Sequence, residues 1–172
     1  MDKELIKGLI AEYQQFVKSV SFVKRAVTLS DNFNYVFVGL RRVGKSYLMY
    51  QQIHHLIETG ISPEEILFFN FEDERIAGMD TEHLDMIKRC YEEMYSHRPI
   101  FFLDEIQIVP HWEQFVRRLA DQKYRVYVTG SNAKMLSKDI ATTLGGRFMI
   151  QYVYPFSFRE YLSSNGCLLY TS

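Results

Sequence analysis

Apolar residues recur along this chain in two rhythms, helically spaced stripes and short unbroken runs. The first stripe, Leu5, Ile6, Leu9, Ile10, Tyr13, Phe16 and Val17, predicts an amphipathic helix. Packing on its own domain is the expectation for that helix, with a partner-binding helix as the alternative. Five runs then read as strands: NYVFVG (Asn34–Gly39), ILFFNF (Ile66–Phe71), PIFFLD (Pro99–Asp104), YRVYVTG (Tyr124–Gly130) and FMIQYVYP (Phe148–Pro155). Near-continuous apolarity suits parallel strands buried on both faces. Helical spacing returns between them. Leu48, Met49, Gln52, Ile53, Leu56 and Ile57 form a stripe closed by Gly60, and a second helix runs from Thr81 through Leu84, Ile87, Tyr91 and Met94. Trp112, Phe115, Val116 and Leu119 mark a third. Ser62-Pro63-Glu64-Glu65 has the capping-box pattern with Pro at the first helical position, and Ser157-Phe158-Arg159-Glu160 opens a final helix in the same way. Strands alternating with helices imply parallel βαβ units in a three-layer α/β domain.

Composition narrows this little. A length of 172 residues suits one domain with a real core, and 47% hydrophobic with 24% charged residues are ordinary globular values. A net charge of −1 exerts no long-range pull on nucleic acid, although a local basic groove stays open as a contact surface. No apolar run approaches a membrane span, and the charged, helix-patterned start MDKELIKGLIAEYQQF is no signal peptide. Cys90 and Cys167 lack metal or redox spacing, so a reduced, cytoplasmic setting is expected. The last six residues, CLLYTS (Cys167–Ser172), interrupt an amphipathic helix. Back-translated as TGTCTCTTATACACATCT, they match a transposon end used in sequencing adapters, and they are read as an adapter-derived tail on a gene truncated near Gly166.

The chemistry begins at GLRRVGKS (Gly39–Ser46): glycine, four residues, glycine, lysine, serine, between a strand and a helix. That is the P-loop pattern in its required context. Gly39 and Gly44 permit the tight turn and close backbone approach. Backbone amides from Leu40 to Tyr47, through Arg41, Arg42 and Val43, line the phosphates at a helix N-terminus. Lys45 would neutralise β/γ oxygens and Ser46 would hold Mg²⁺ through its hydroxyl. FFLDEIQ (Phe101–Gln107) delivers Asp104 at the C-terminal edge of a strand, where ligands bind in open parallel sheets, suited to the Mg²⁺ shell. Glu105, next along, could polarise the attacking water. VTGSN (Val128–Asn132) repeats the layout, and Asn132 or Ser131 could reach the γ-phosphate or the water, unless the pair merely caps a helix. Arg147, after a double glycine, could stabilise charge on the transferring phosphoryl group in cis or from a neighbouring subunit, or serve only as a surface salt bridge. Arg41 and Arg42 suit the nucleotide mouth or a partner. NFEDER (Asn70–Arg75) reads as a solvated charged loop, with a structural or coupling role as the alternative.

Other chemistries lack their spacing. The five histidines form no HExxH or Cys/His ligand set, Ser131 lacks the glycines of a hydrolase elbow, and Cys90 sits on a helical apolar face. No base-reading N-K-x-D follows the fourth strand, which disfavours a GTPase switch, and no arginine-rich lid suggests a small-molecule kinase.

Taken in order, VGLRRVGKSYLM, NFEDER, FFLDEIQIVPHWE, VTGSNAKMLS, TLGGRF and YPFSFREYL resemble the AAA-type ATPases whose P-loop domain precedes a C-terminal domain of unknown function. The resemblance covers roughly Asn34 to Leu162. It implies a five-stranded parallel core with the catalytic glutamate on a strand beside the P-loop strand. It also implies Walker A at Gly39–Ser46, Walker B at Asp104 with Glu105, a sensor at Ser131 or Asn132, and Arg147 as arginine finger. The chain then divides into a helical segment at 1–33, an ATPase domain at 34–166 lacking the C-terminal domain, and the tail at 167–172. The function expected is Mg²⁺-dependent ATP hydrolysis coupled to conformational change of an attached domain or partner, with the C-terminal domain and a protein partner or homo-oligomer as the expected partners. A nucleotide-gated binding module with little hydrolysis is the alternative.

Overall fold

The computed structural model describes residues 2–131, 135 and 139–165. Five parallel strands form one sheet: β1 (Asn34–Val38), β2 (Ile66–Asn70), β3 (Ile100–Asp104), β4 (Val126–Gly130) and β5 (Phe148–Tyr152), in the order β2-β3-β4-β1-β5. Around it lie α1 (Lys3–Ser19), α2 (Lys45–Glu58), α3 (Thr81–Met94), α4 (Trp112–Asp121), α5 (Asp139–Thr143) and α6 (Phe158–Ser164). Each strand starts where its apolar run predicts or up to two residues later. The fifth stops at Tyr152; the Val153 N–H still bonds Val38 O of β1, and the chain then passes the P-loop.

The order corrects one expectation drawn from the resemblance. The strand carrying Asp104 and leading into Glu105 is not beside β1, because β4 lies between them. The two strand ends are therefore about 10 Å apart. A long side chain from the start of α2 is needed to span that gap.

Aromatic residues fix the packing across the sheet. Phe68, Phe102, Tyr127 and Tyr35 fall in one register row over four strands. Phe102 and Tyr127 stack at 4.4 Å with planes 3° apart, and Tyr127 and Tyr35 at 6.0 Å. Such in-register pairs are worth a few tenths to about 1 kcal/mol each and oppose a register slip. α1 buries Ile6, Leu9, Ile10 and Val17, and its Tyr13 meets Phe68 and Phe69 edge-on at 5.8 and 5.5 Å. α4 opens on Trp112, buried directly after His111, whose backbone is left-handed at φ 56°. Cys90 is a core residue whose thiol is pushed up by burial.

NFEDER is less solvated than its charge suggests. Arg75 holds Glu12 of α1 through two bonds of 2.8 and 2.9 Å and Asp73 at 2.7 Å, while Tyr13 donates to Asp73 at 2.6 Å. The Arg75 guanidinium first, then the phenol, holds the Asp73 carboxyl well below the usual carboxylate range. The loop after β2 is thereby fastened to α1. Among the described residues no helix is long and apolar enough to cross a membrane.

Candidate functional site

β1 runs into the P-loop at Gly39, and the reason for glycine is steric. A Cβ there would stand 2.4 Å from the Val153 carbonyl oxygen, just past the bond in which the Val153 N–H donates to Val38 O at 2.8 Å. Arg42 and Gly44 both adopt left-handed backbone, with φ 64° and 94°. Left-handed residues within such a loop turn amides toward one concavity, the geometry of an anion nest. α2 starts at once with Lys45, adding its N-terminal amides to the same hollow.

Lys45 is the side chain that spans the gap between β1 and β3. It is 3% exposed, donates to Leu40 O at 2.9 Å, and pairs with Glu105 Oε1 at 3.3 Å. Glu105 follows β3 in left-handed backbone, φ 54°, an uncommon conformation for a residue with a Cβ. Its Oε2 accepts from Gln107 Nε2 at 2.5 Å and from Ser131 Oγ at 2.9 Å. Both oxygens are thus engaged, and the carboxylate is held in one orientation.

Asp104 is buried, and burial raises its carboxyl to about 6 despite hydrogen bonds from Thr129 and Ser46 that favour ionisation. Glu105 and Glu72 raise it further by like charge. A carboxylate so disfavoured gains from a cation. Hydroxyl and carboxylate oxygens are the hard donors a divalent ion such as Mg²⁺ takes. Among the described residues no group of three or more His, Cys, Asp or Glu could hold a metal alone. An ion at Ser46 and Asp104 would therefore complete its shell from phosphate and water, as Mg²⁺ does in nucleotide sites.

Two hollows meet over the P-loop. One, about 660 Å³, is lined by Arg41, Arg42, Gly44, Lys45, Ser46, Tyr47, Glu72 and Glu105. Arg41 pairs with Glu72 at 2.7 Å across its rim. The other, about 610 Å³ and mostly apolar, lies between the segment before β1 and the segment after β5, with Phe22, Val23, Tyr47, Pro155 and Phe156 in its walls. Arg42, Gly44 and Tyr47 border both.

The expected residues are thus gathered in part. Gly39, Gly44, Lys45, Ser46, Asp104, Glu105 and Ser131 converge at the C-terminal ends of the strands. Leu40, Arg41, Arg42, Val43 and Tyr47 surround them. Asn132 lies outside the described residues. Arg147 is not at this site: it precedes β5 and bonds Asp121 at 2.5 Å, and its carbonyl accepts from Asn34 at the start of β1. A five-residue strand, roughly 16 Å long, separates it from its own P-loop, which excludes action there in cis.

Sequence reasoning overlooked Arg25. This arginine is 8% exposed, and it ties the P-loop to α2, the segment after β5 and α6. Nη1 donates to Val43 O at 3.0 Å, Nη2 to Tyr154 O at 2.8 Å, and Nε to Glu160 Oε1 at 3.2 Å, while its backbone N–H donates to Gln51 Oε1 at 2.7 Å. Its guanidinium lies 5.0 Å from the Phe156 ring. Burial would raise Glu160, but hydrogen bonds from Arg25 and Ser157 hold its carboxyl down at about 2. A cation within the otherwise unpatterned stretch Ser21–Leu29 was the available signal. Gln107 and Thr129 were also passed over, although both lie in motifs already singled out.

Comparison with known proteins agrees with this geometry. Residues 31–162 match the AAA domain family. The chain is 33% identical over 162 residues to the uncharacterized protein MJ1544 of Methanocaldococcus jannaschii, covering 93% of this chain and 35% of that one. It is 36% identical over 146 residues to an uncharacterized protein of Haemophilus influenzae, covering 83% and 36%. The chain thus spans about a third of the length of these relatives. Among solved structures, the Saccharomyces cerevisiae Hsp104–ADP complex superposes with a TM-score of 0.57 at 15% identity, over 97% of this chain and 26% of that one. Aeropyrum pernix ORC1 in complex with DNA gives 0.51 at 14%, over 95% and 49%. At these identities the two structures share the fold. With the P-loop and the acidic pair in place, the match over most of its length shows that this chain belongs to the AAA domain family.

Proposed function

We propose that the chain is an ATP-hydrolysing module, dependent on Mg²⁺, whose turnover drives conformational change in an attached domain or partner. The observation that carries the reading is the convergence of buried Lys45, Asp104 and Glu105 with half-buried Ser46 beside the nest, with Lys45 Nζ 3.3 Å from Glu105 Oε1. ATP phosphates would occupy the nest, and the base would enter the apolar hollow against Tyr47 and Phe156. Lys45 would then exchange Glu105 for β/γ oxygens, leaving Oε1 able to take a proton from the attacking water. Mg²⁺ held by Ser46 and Asp104 would neutralise charge building on the phosphate oxygens. Gln107 and Ser131 keep the glutamate aimed throughout. Arg147, at the opposite end of β5 from the P-loop, could serve this chemistry only on a neighbouring subunit's site.

The test is a pair of substitutions in the full-length protein. Glu105→Gln is expected to bind ATP normally while phosphate release slows at least 100-fold; Lys45→Ala is expected to abolish binding. Absence of ATP turnover by the unmutated protein with any partner refutes the hydrolysis claim. Tight ATP binding by Lys45→Ala refutes the P-loop assignment.

A further inference from the structure

Thr129 is the residue before the last of β4, and it is fully buried. Its hydroxyl makes two bonds whose directions are determined. The Glu105 backbone N–H can only donate, and it does so to Thr129 Oγ1 at 2.8 Å. The hydroxyl hydrogen is therefore free for the Asp104 carboxylate, which accepts it at Oδ1 over 2.6 Å. One side chain thus holds two neighbours with different expected duties.

The backbone explains why a side chain is needed there. The β3–β4 ladder ends at the pair Leu103 and Val128. Beyond it Glu105 turns left-handed, so its amide no longer points along the ladder and would be buried without a partner. Thr129 Oγ1 takes that amide. The next but one residue, Ser131, holds the Glu105 carboxylate at Oε2 over 2.9 Å, so the end of β4 grips this glutamate at both backbone and side chain.

We propose that Thr129 is a positioning residue: it aims the Asp104 carboxylate at the metal site shared with Ser46 and fixes the left-handed turn that presents Glu105. This rests on the reading of Asp104 and Glu105 given above. Outer-shell partners of this kind typically change metal affinity or activity 10–100-fold when removed. The hydroxyl, rather than the volume of the side chain, carries the effect. Serine should therefore serve almost as well as threonine, and valine, equal in shape, should fail.

The experiment measures ATP affinity by calorimetry with and without Mg²⁺, together with steady-state turnover, in the purified protein and in Thr129→Val and Thr129→Ser. In Thr129→Val, metal-free ATP affinity is expected within threefold of the unmutated protein. The gain in affinity on adding Mg²⁺ should fall at least fivefold, with KM for the Mg²⁺-bound nucleotide rising to a similar extent, and kcat should fall about 10–100-fold. Thr129→Ser should recover both to within about threefold. An unchanged Mg²⁺ gain and kcat in Thr129→Val overturn the proposal, as does a serine variant as impaired as valine. If valine prevents folding, Thr129→Cys carries the test, since a thiol is a weak donor of similar size and must show the same selective loss of the Mg²⁺ gain. Should the unmutated protein bind ATP without turning it over, the hydrolysis reading fails on its own. The Mg²⁺ gain then still decides the role of Thr129.

Discussion

Replacing Arg25 by methionine is the sharpest probe of how the P-loop is joined to the segment after β5. Methionine fills much of the same volume while deleting the charge and the donors to Val43, Tyr154 and Glu160. Breaking a buried ion pair costs about 3–5 kcal/mol when the surviving charge is stranded. Here Glu160 keeps the Ser157 N–H at 2.8 Å and sits in the first turn of α6, so its charge is not stranded. A carboxyl lowered from 4.5 to about 2, with Ser157 supplying part of the effect, caps the pair's share at roughly 3 kcal/mol. We therefore expect Arg25→Met to cost about 2–3 kcal/mol at pH 7. The pH dependence has a definite sign. Because the folded value lies below the unfolded one, the stabilisation is complete above pH about 4.5 and is lost as pH falls toward about 2. Urea unfolding followed by circular dichroism, at pH 7 and at steps down to pH 3, should show the gap between the two proteins narrowing only below pH about 4.5. Glu160→Gln and the double variant complete a cycle whose coupling should exceed about 1 kcal/mol. A gap below about 0.5 kcal/mol at pH 7, a gap of constant size across the series, or strictly additive effects would refute the reasoning.

Two glycines of the P-loop should respond differently to alanine. At Gly44 the space is open, the nearest atom lying 3.7 Å from a new Cβ, so the cost is the left-handed backbone alone, about 1–2 kcal/mol by thermal melting. At Gly39 the backbone is not left-handed, but the new Cβ meets a backbone oxygen at 2.4 Å, so Gly39→Ala must push the segment after β5 away from β1 and should abolish ATP binding in calorimetry. Equal effects at the two sites would contradict the steric account. Tyr13→Phe removes one hydrogen bond to a carboxylate that Arg75 still holds, and should cost about 1–2 kcal/mol in urea unfolding at pH 7.

The legible parts of this molecule were those written locally. Runs such as Phe101–Leu103 declare buried strands because both faces of a parallel sheet are covered. Gly39, Gly44, Lys45 and Ser46 declare themselves because phosphate binding imposes residue types at fixed spacing. Strand order was not legible in the same way. That β4 separates β3 from β1 depends on crossovers, and only the resemblance spoke to it, incorrectly. The partners of Arg75 and Arg25 were hidden for a related reason: Glu12 and Glu160 are 63 and 135 residues away. Thr129 was hidden differently. In a strand it reads as one more β-branched residue, and its hydroxyl acquires meaning only from the left-handed turn at Glu105 on the neighbouring strand.

Trp112 gives the site a built-in lamp. It is the chain's single tryptophan, buried at the head of α4, and only six residues separate it from Glu105. That short span holds a 3₁₀ turn at Ile106–Ile108 and the left-handed His111. Any rearrangement of the glutamate's backbone must be absorbed within it or delivered to the indole. The emission of one native residue can therefore be followed in real time during nucleotide addition, without a label placed on the machinery being watched.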